Sequence, residues 1–399
     1  MRVLVADGFS ESGLAGLKAL GLDLVYTPKA SAEEFAREAQ TAHVVVVRSR
    51  KVVREVIEKA SRLSLIVRAG AGVNTIDVAA ASERGIFVTN CPGKNSAAVA
   101  ELTMGLILAL DRRIPEATAE LKSGRWNKAE YSKARGLRGR TLGVLGAGDI
   151  GTLVIARAQA FGMRVVAWSR SLTEARAKEL GIERRATPIE VARESDVLTI
   201  HLALSQETQG LVGKELLAAL PAGAWVINTS RGEIVDEAAL IAAAKEKKLR
   251  VALDVFAGEP AEGSAAFAPA PAALPHFAGT PHVGASTDEA QDAIAAEAVR
   301  IVKVFLQEGH ATNCVNLAAK TRARCQLVVR HYDKVGVLAG VLDLVRAENI
   351  NVQRVENIVF EGAKAACAKI ELEKRPSDSA LAELLRRKDE ILGVEVVDL

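Results

Sequence analysis

Short, unbroken apolar runs alternate along the chain with longer stretches whose apolar residues recur at helical spacing. The runs at 3–6, 44–47, 65–68 and 87–89 lack polar alternation, which marks strands buried on both faces of a parallel sheet. Residues 10–20, 32–40, 53–60 and 78–84 between them read as helices. A second series begins at Thr141. Its strands are expected at 141–145, 163–168, 197–201, 224–228, 251–255 and 279–280, with helices between them, clearest at 152–161 and 236–247. Residues 96–110 form a helix apolar on most faces, expected to lie between domains or subunits. A charged segment follows at 111–140. The Ala- and Pro-rich stretch 260–275 reads as a surface loop. The long helix 287–308 is expected to cross back to the first series. After a linker at 312–324 the order becomes strand 325–330, helix 337–348, strands 352–357 and 365–371, helix 379–387, strand 394–397. That is the ferredoxin-like β-α-β-β-α-β order.

The predicted class is therefore α/β: two doubly wound parallel-sheet domains, Rossmann-like and flavodoxin-like, and a ferredoxin-like C-terminal domain. Residues 1–96 with 287–315 are expected to form the first, 97–286 the second and 325–399 the third. At 399 residues the chain is too long for one core. Composition narrows the function classes. A net charge of +3 without a long basic block gives no reason to expect nucleic acid. The apolar runs are too short to span a membrane, and the N-terminus reads as a buried strand rather than a signal peptide. The four cysteines are scattered, with no C-x-x-C. That favours free thiols in a reducing, cytoplasmic setting over disulfides or a metal site.

The chemistry starts at LGVLGAGDIG, residues 142–151. This is G-x-G-x-x-G at a strand-to-helix turn, a dinucleotide fingerprint. Gly146 would allow the tight turn, Gly148 the approach of a pyrophosphate and Gly151 close packing of the helix. Asp149 and Ile150 complete the cofactor loop. The acid that usually binds the ribose 2′-hydroxyl, about 20 residues further on, is replaced by Ser169, followed by Arg170. Serine does not repel a 2′-phosphate and arginine can pair with one, so NADP use is expected beside NAD.

Three later strands end in polar segments: NTSRG at 228–232 with Arg231, LDVFAGEP at 253–260 with Glu259, and TPHVGAST at 280–287 with His282. An arginine can hold a carboxylate bidentately, a histidine can exchange a hydroxyl proton and a carboxylate can stabilise the imidazolium. Singly, each residue has an ordinary structural explanation. Behind a dinucleotide fingerprint, together, they point to hydride transfer.

With RAGAGV at 68–73, NSAAVAELT at 95–103 and PHVGASTDEAQ at 281–291, the chain resembles the D-isomer-specific 2-hydroxyacid dehydrogenases along essentially its whole length. The last motif is most like those members that act on 3-phosphoglycerate. The resemblance implies that Arg231, Glu259 and His282 are catalytic. It places Thr229, Asp254 and Gly284 at the cofactor, Asp254 at the nicotinamide end, with His201 lining the cofactor cleft. The backbone of Ala71, Gly72 and Val73 falls on the loop for the substrate carboxylate, and Arg48 on the site for the substrate phosphate. Trp126 and Lys128 match a segment that reaches a neighbouring subunit's active site. A homodimer or homotetramer acting on a small phosphorylated hydroxyacid is thus expected.

VRHYDKVGVL, at 329–338, resembles an ACT domain, which implies an amino-acid effector. Asp333 and Val335 stand where serine-inhibited relatives carry Asn and Pro, although Asn351 fits a second polar contact. Two other functions share the core pattern: a hydroxypyruvate or glyoxylate reductase, which needs no phosphate anchor, and a dinucleotide-sensing binding protein, which needs no catalytic side chains.

Overall fold

In the computed structural model, which describes residues 1–260 and 264–399, the chain divides into two compact units, Met1–Asn316 and Leu317–Leu399. Part of the loop expected at 260–275, residues 261–263, lies outside the described residues.

The first unit holds two parallel sheets. One has five strands in the order Asp23–Tyr26, Arg2–Val5, Val44–Val47, Leu65–Arg68, Phe87–Thr89. The four valines of Val44–Val47 are fully buried because helices cover both faces. Glu11–Ala19 and Asp288–Glu308 lie on one side, where Ile294, Ala298, Ile301 and Val302 pack against Val3, Val5, Val44 and Val46. The long helix thus returns to the first series as its pattern implied. Each fully buried Val or Leu contributes roughly 1.5–3 kcal/mol, which makes this seam a strong one.

The other sheet has seven strands: Phe277–Gly279, Arg250–Leu253, Trp225–Asn228, Val197–Ile200, Thr141–Leu145, Arg164–Trp168, Glu183–Arg184. The chain reverses its direction of travel across the sheet between Thr141–Leu145 and Val197–Ile200. Ser96–Arg112 packs with Asp149–Ala160 over one face of this sheet. It is therefore a core helix of the second half, and its apolar surface meets strands, where a position between domains or subunits was expected.

Two strands escape the sequence pattern. Asp23–Tyr26 sits at a sheet edge with polar ends and partly exposed side chains, and Glu183–Arg184 is only two residues long. The charged segment contains two helices, Ile114–Lys122 and Lys128–Tyr131, with no buried residues.

The second unit is a four-stranded antiparallel sheet, ordered Val352–Val359, Ala365–Leu372, Cys325–Tyr332, Ile391–Asp398. Helices Val337–Ala347 and Asp378–Arg386 cover one face. The element order is the β-α-β-β-α-β read from the sequence, with longer strands.

Candidate active site

Adjacent strands of the seven-stranded sheet deliver Arg231, Glu259 and His282 on three successive loops. Asn228 ends the first strand and pins its loop. Its Oδ1 accepts from Ser230 N and Oγ (3.0 and 2.7 Å), and its Nδ2 donates to the Arg231 carbonyl (2.8 Å). The next residue is Gly232, where a Cβ would stand 2.2 Å from the Phe256 carbonyl carbon. Only glycine lets the Arg231 loop press against the loop leading to Glu259.

Glu259 uses both oxygens. Oε1 accepts from Phe256 N (2.7 Å), and Oε2 lies 2.6 Å from His282 Nδ1. Burial pushes its carboxyl upward, but the hydrogen bonds from His282 and the Phe256 N–H, with the nearby His282 and Arg231, outweigh burial and hold it below the usual carboxylate range. An ionised carboxylate only accepts, so Nδ1 carries the proton and Nε2 of a neutral imidazole is left as the basic nitrogen.

His282 itself has φ 53, a left-handed conformation unusual for a side-chain-bearing residue. Asp254 holds it there. The buried Asp254 carboxylate accepts from Thr280 Oγ1 (2.6 Å), Val283 N (2.8 Å) and Gly284 N (2.9 Å), and its own carbonyl accepts from His282 N (2.8 Å). Asp254 and Gly284, expected at the cofactor, thus shape the histidine loop.

The five-stranded sheet contributes cations from across the cleft. A Cβ on Gly72 would lie 2.3 Å from Arg231 Nη2, so the 71–73 loop lies directly on the guanidinium. Arg68 ends the strand Leu65–Arg68 and folds over Gly70. Burial, reinforced by the charges of Arg231 and Arg48, lowers the pKa of Arg68 to about 10, and its Nε is buried without a partner. Burial likewise lowers Arg48, opposed by Asp7. Arg48 and Arg231 thus flank Arg68, Arg231 also acts on Glu259, the partner of His282, and Arg48 Nη2 donates to Ser286 on the His282 loop. Arg68 was missed from sequence, although a lone arginine ending an apolar strand at its C-terminal end was a usable signal. Arg50, two residues from Arg48, is structural: it donates to the carbonyls of Ala6 and Ala30 and stacks over Phe35.

The glycine fingerprint forms the turn its spacing implied. Gly146 has φ 101, and a Cβ there would sit 2.3 Å from the His201 carbonyl oxygen. A Cβ at Gly151 would sit 1.9 Å from the Gly146 carbonyl oxygen. Nothing lies within 4 Å of the Cβ position of Gly148, which begins helix Asp149–Ala160 without a side-chain cap. An open approach to uncapped N–H groups, at the point where strand order reverses, fits the pyrophosphate of a dinucleotide. Ser169 and Arg170 follow the neighbouring strand, Ser169 half-buried and Arg170 exposed. His201 itself is partly buried. Its Nε2 pairs with Thr199 Oγ1 (2.9 Å), its Nδ1 is buried without a partner, and burial lowers its pKa to about 3. At this crevice His201 presents its carbonyl. Thr229 Oγ1 pairs with Thr103 Oγ1 of the covering helix (2.9 Å). Trp126, 81% exposed, and the exposed Lys128 stay on the outer arm. Among the described residues no His, Cys, Asp and Glu cluster could hold a metal, and no helix is long and apolar enough to cross a membrane.

Residues 104–284 match the family model for the D-isomer specific 2-hydroxyacid dehydrogenase, NAD binding domain. The chain is 36% identical over 370 residues to D-3-phosphoglycerate dehydrogenase of Bacillus subtilis, covering 91% of this chain and 67% of that one. It belongs to the D-isomer specific 2-hydroxyacid dehydrogenase family. D-3-phosphoglycerate dehydrogenase of Methanocaldococcus jannaschii is 41% identical over 319 residues, 79% of this chain and 60% of that protein. The chain thus spans about three fifths to two thirds of the length of these curated relatives. Among solved structures, the NAD+-bound 3-phosphoglycerate dehydrogenase of Entamoeba histolytica superposes with a TM-score of 0.67 at 29% identity, covering 79% of this chain and 99% of that one. The family membership and the α/β class read from the motifs are both upheld.

Proposed function

We propose that this family member is an NAD(P)-dependent dehydrogenase that interconverts 3-phosphoglycerate and 3-phosphohydroxypyruvate, a step of serine biosynthesis. The observation that carries the reading is a carboxylate-oriented histidine beside three converging arginines. A three-carbon acid with a carboxylate at one end and a phosphate at the other needs cations at both.

In oxidation, Nε2 of neutral His282 takes the proton of the C2 hydroxyl. Glu259 keeps Nδ1 protonated and stabilises the imidazolium. Arg231 holds the substrate carboxylate and the developing ketone oxygen, with the backbone of residues 71–73 on the other side. Arg48 and Arg68 receive the phosphate. The nicotinamide, when bound, accepts or supplies the hydride at C2. Gly146, Gly148, Asp149, Ile150 and Gly151 would hold its pyrophosphate, and Ser169 and Arg170 its adenosine ribose.

A homo-oligomer completes the reading. The edge strand Val352–Val359 leaves Val355, Ile358 and Val359 exposed beside its unpaired backbone, an arrangement that favours pairing with a second copy. Trp126 and Lys128 suit a neighbour's cleft better than their own.

Purified protein should oxidise NADH or NADPH when given 3-phosphohydroxypyruvate and yield D-3-phosphoglycerate. Preference for hydroxypyruvate would move the assignment to a reductase, and cofactor binding without turnover of either acid would move it to a sensor.

A further inference from the structure

The five-stranded sheet has its own reversal of strand order, between Arg2–Val5 and Val44–Val47. The C-terminal ends of such a pair form a crevice that ordinarily receives a ligand. Here the chain fills it. Asp7, just past the first strand, extends Oδ2 to three successive backbone N–H groups beyond the second: Arg48 (2.6 Å), Ser49 (3.0 Å) and Arg50 (3.0 Å). Consecutive amides converging in this way make an anion-binding concavity, and a built-in carboxylate closes it. The guanidinium of Arg48 is held separately, by donation from Nη2 to Ser286 Oγ (3.3 Å) on the His282 loop. That loop is rigid in turn, since Ser286 N donates to the Val283 carbonyl (2.8 Å) and Gln291 Nε2 to the Ala285 carbonyl (2.8 Å).

We infer that Asp7 is a positioning residue for the phosphate end of the substrate. It occupies the amide concavity, so a phosphate cannot settle there, and it fixes the backbone from which Arg48 reaches toward Arg68 and Ser286. This rests on the proposed reading that the second anionic group binds at Arg48. Two effects of Asp7 oppose each other. Its negative charge weakens anion binding nearby, while its hydrogen bonds place Arg48. The inference is that placement dominates.

Asp7→Asn keeps an oxygen acceptor and removes the charge, and Asp7→Ala removes both. The readout is the ratio of KM for hydroxypyruvate to KM for 3-phosphohydroxypyruvate, with kcat measured alongside. Asp7→Ala should lower that ratio about tenfold, the scale of one charge-assisted hydrogen bond, with kcat for the phosphorylated acid within about twofold of wild type. Asp7→Asn should keep the ratio or raise it. A ratio that rises in Asp7→Ala, or falls equally in both variants, would overturn the inference. So would a loss confined to kcat. Folding of both variants is checked by thermal unfolding. A wild type with no preference for the phosphorylated acid would refute the substrate reading itself, whatever the variants do.

Discussion

His282 owes its role to what surrounds it: Asp254 fixes its backbone and Glu259 its ring. His282→Ala should therefore abolish most turnover while NADH binding, followed by fluorescence, persists, because the glycine turn is built separately. Near-normal turnover of that variant across pH would remove the assignment. Glu259→Gln should lower kcat/KM by at least about tenfold, since the ring loses the carboxylate that fixes its tautomer and orientation; wild-type kcat/KM would mean that Glu259 only braces the loop. Arg48→Ala should weaken 3-phosphohydroxypyruvate at least about tenfold more than hydroxypyruvate, because a charge-assisted contact contributes about 1.5–3 kcal/mol. His201 gives a stability prediction. Its folded pKa, about 3, lies below the ordinary histidine value of about 6.5, so the unfolded chain binds the extra proton between them. Stability is then lost as pH falls through that window, by up to about 2 kcal/mol at roughly pH 5. Denaturant unfolding of His201→Asn should show a smaller loss between neutral and acid pH than wild type, and an equal loss would mean that His201 is not the group responsible.

At the scale of elements, the site depends on loops touching backbone to backbone. Gly232→Ala would force a Cβ against Phe256, separate Arg231 from Glu259 and lower kcat/KM by at least about tenfold, the effect of a small misplacement of catalytic groups. Wild-type kcat/KM in that variant would show that the loops can part without cost. The strand end at 169–170 should govern cofactor choice: Ser169→Asp with Arg170→Ala should shift the kcat/KM ratio toward NADH. A wild type blind to NADPH, or a ratio that the double change leaves unmoved, would defeat that idea. Most of these elements were legible in the sequence because parallel strands buried on both faces are continuous apolar runs. Asp23–Tyr26 was not, since an edge strand needs no apolar face. Arg231, Glu259 and His282 could be picked out together because each lies in the polar loop that follows an apolar strand. Composition and spacing do not separate Arg48 from Arg50; the resemblance singled out Arg48, and the geometry shows Arg50 spent on carbonyls while Arg48 reaches Ser286.

For the whole molecule, the C-terminal unit is where the expected effector response can be tested. Asn351 Nδ2 is already engaged by Glu373 (3.3 Å), Val335 stands fully exposed, and the carboxylate of Asp333 would repel an amino-acid carboxylate placed near it. Millimolar serine should therefore leave the initial rate unchanged, while strong inhibition would show that the unit rearranges on binding. The central claim is that the cleft recognises an acid with two anionic ends. Its most direct measurement is the wild-type ratio of kcat/KM for 3-phosphohydroxypyruvate to that for hydroxypyruvate, with the cofactor saturating. The account predicts a preference of at least about tenfold for the phosphorylated acid, reduced toward unity in Arg48→Ala. Equal efficiency on both acids, or a preference for hydroxypyruvate, would contradict it.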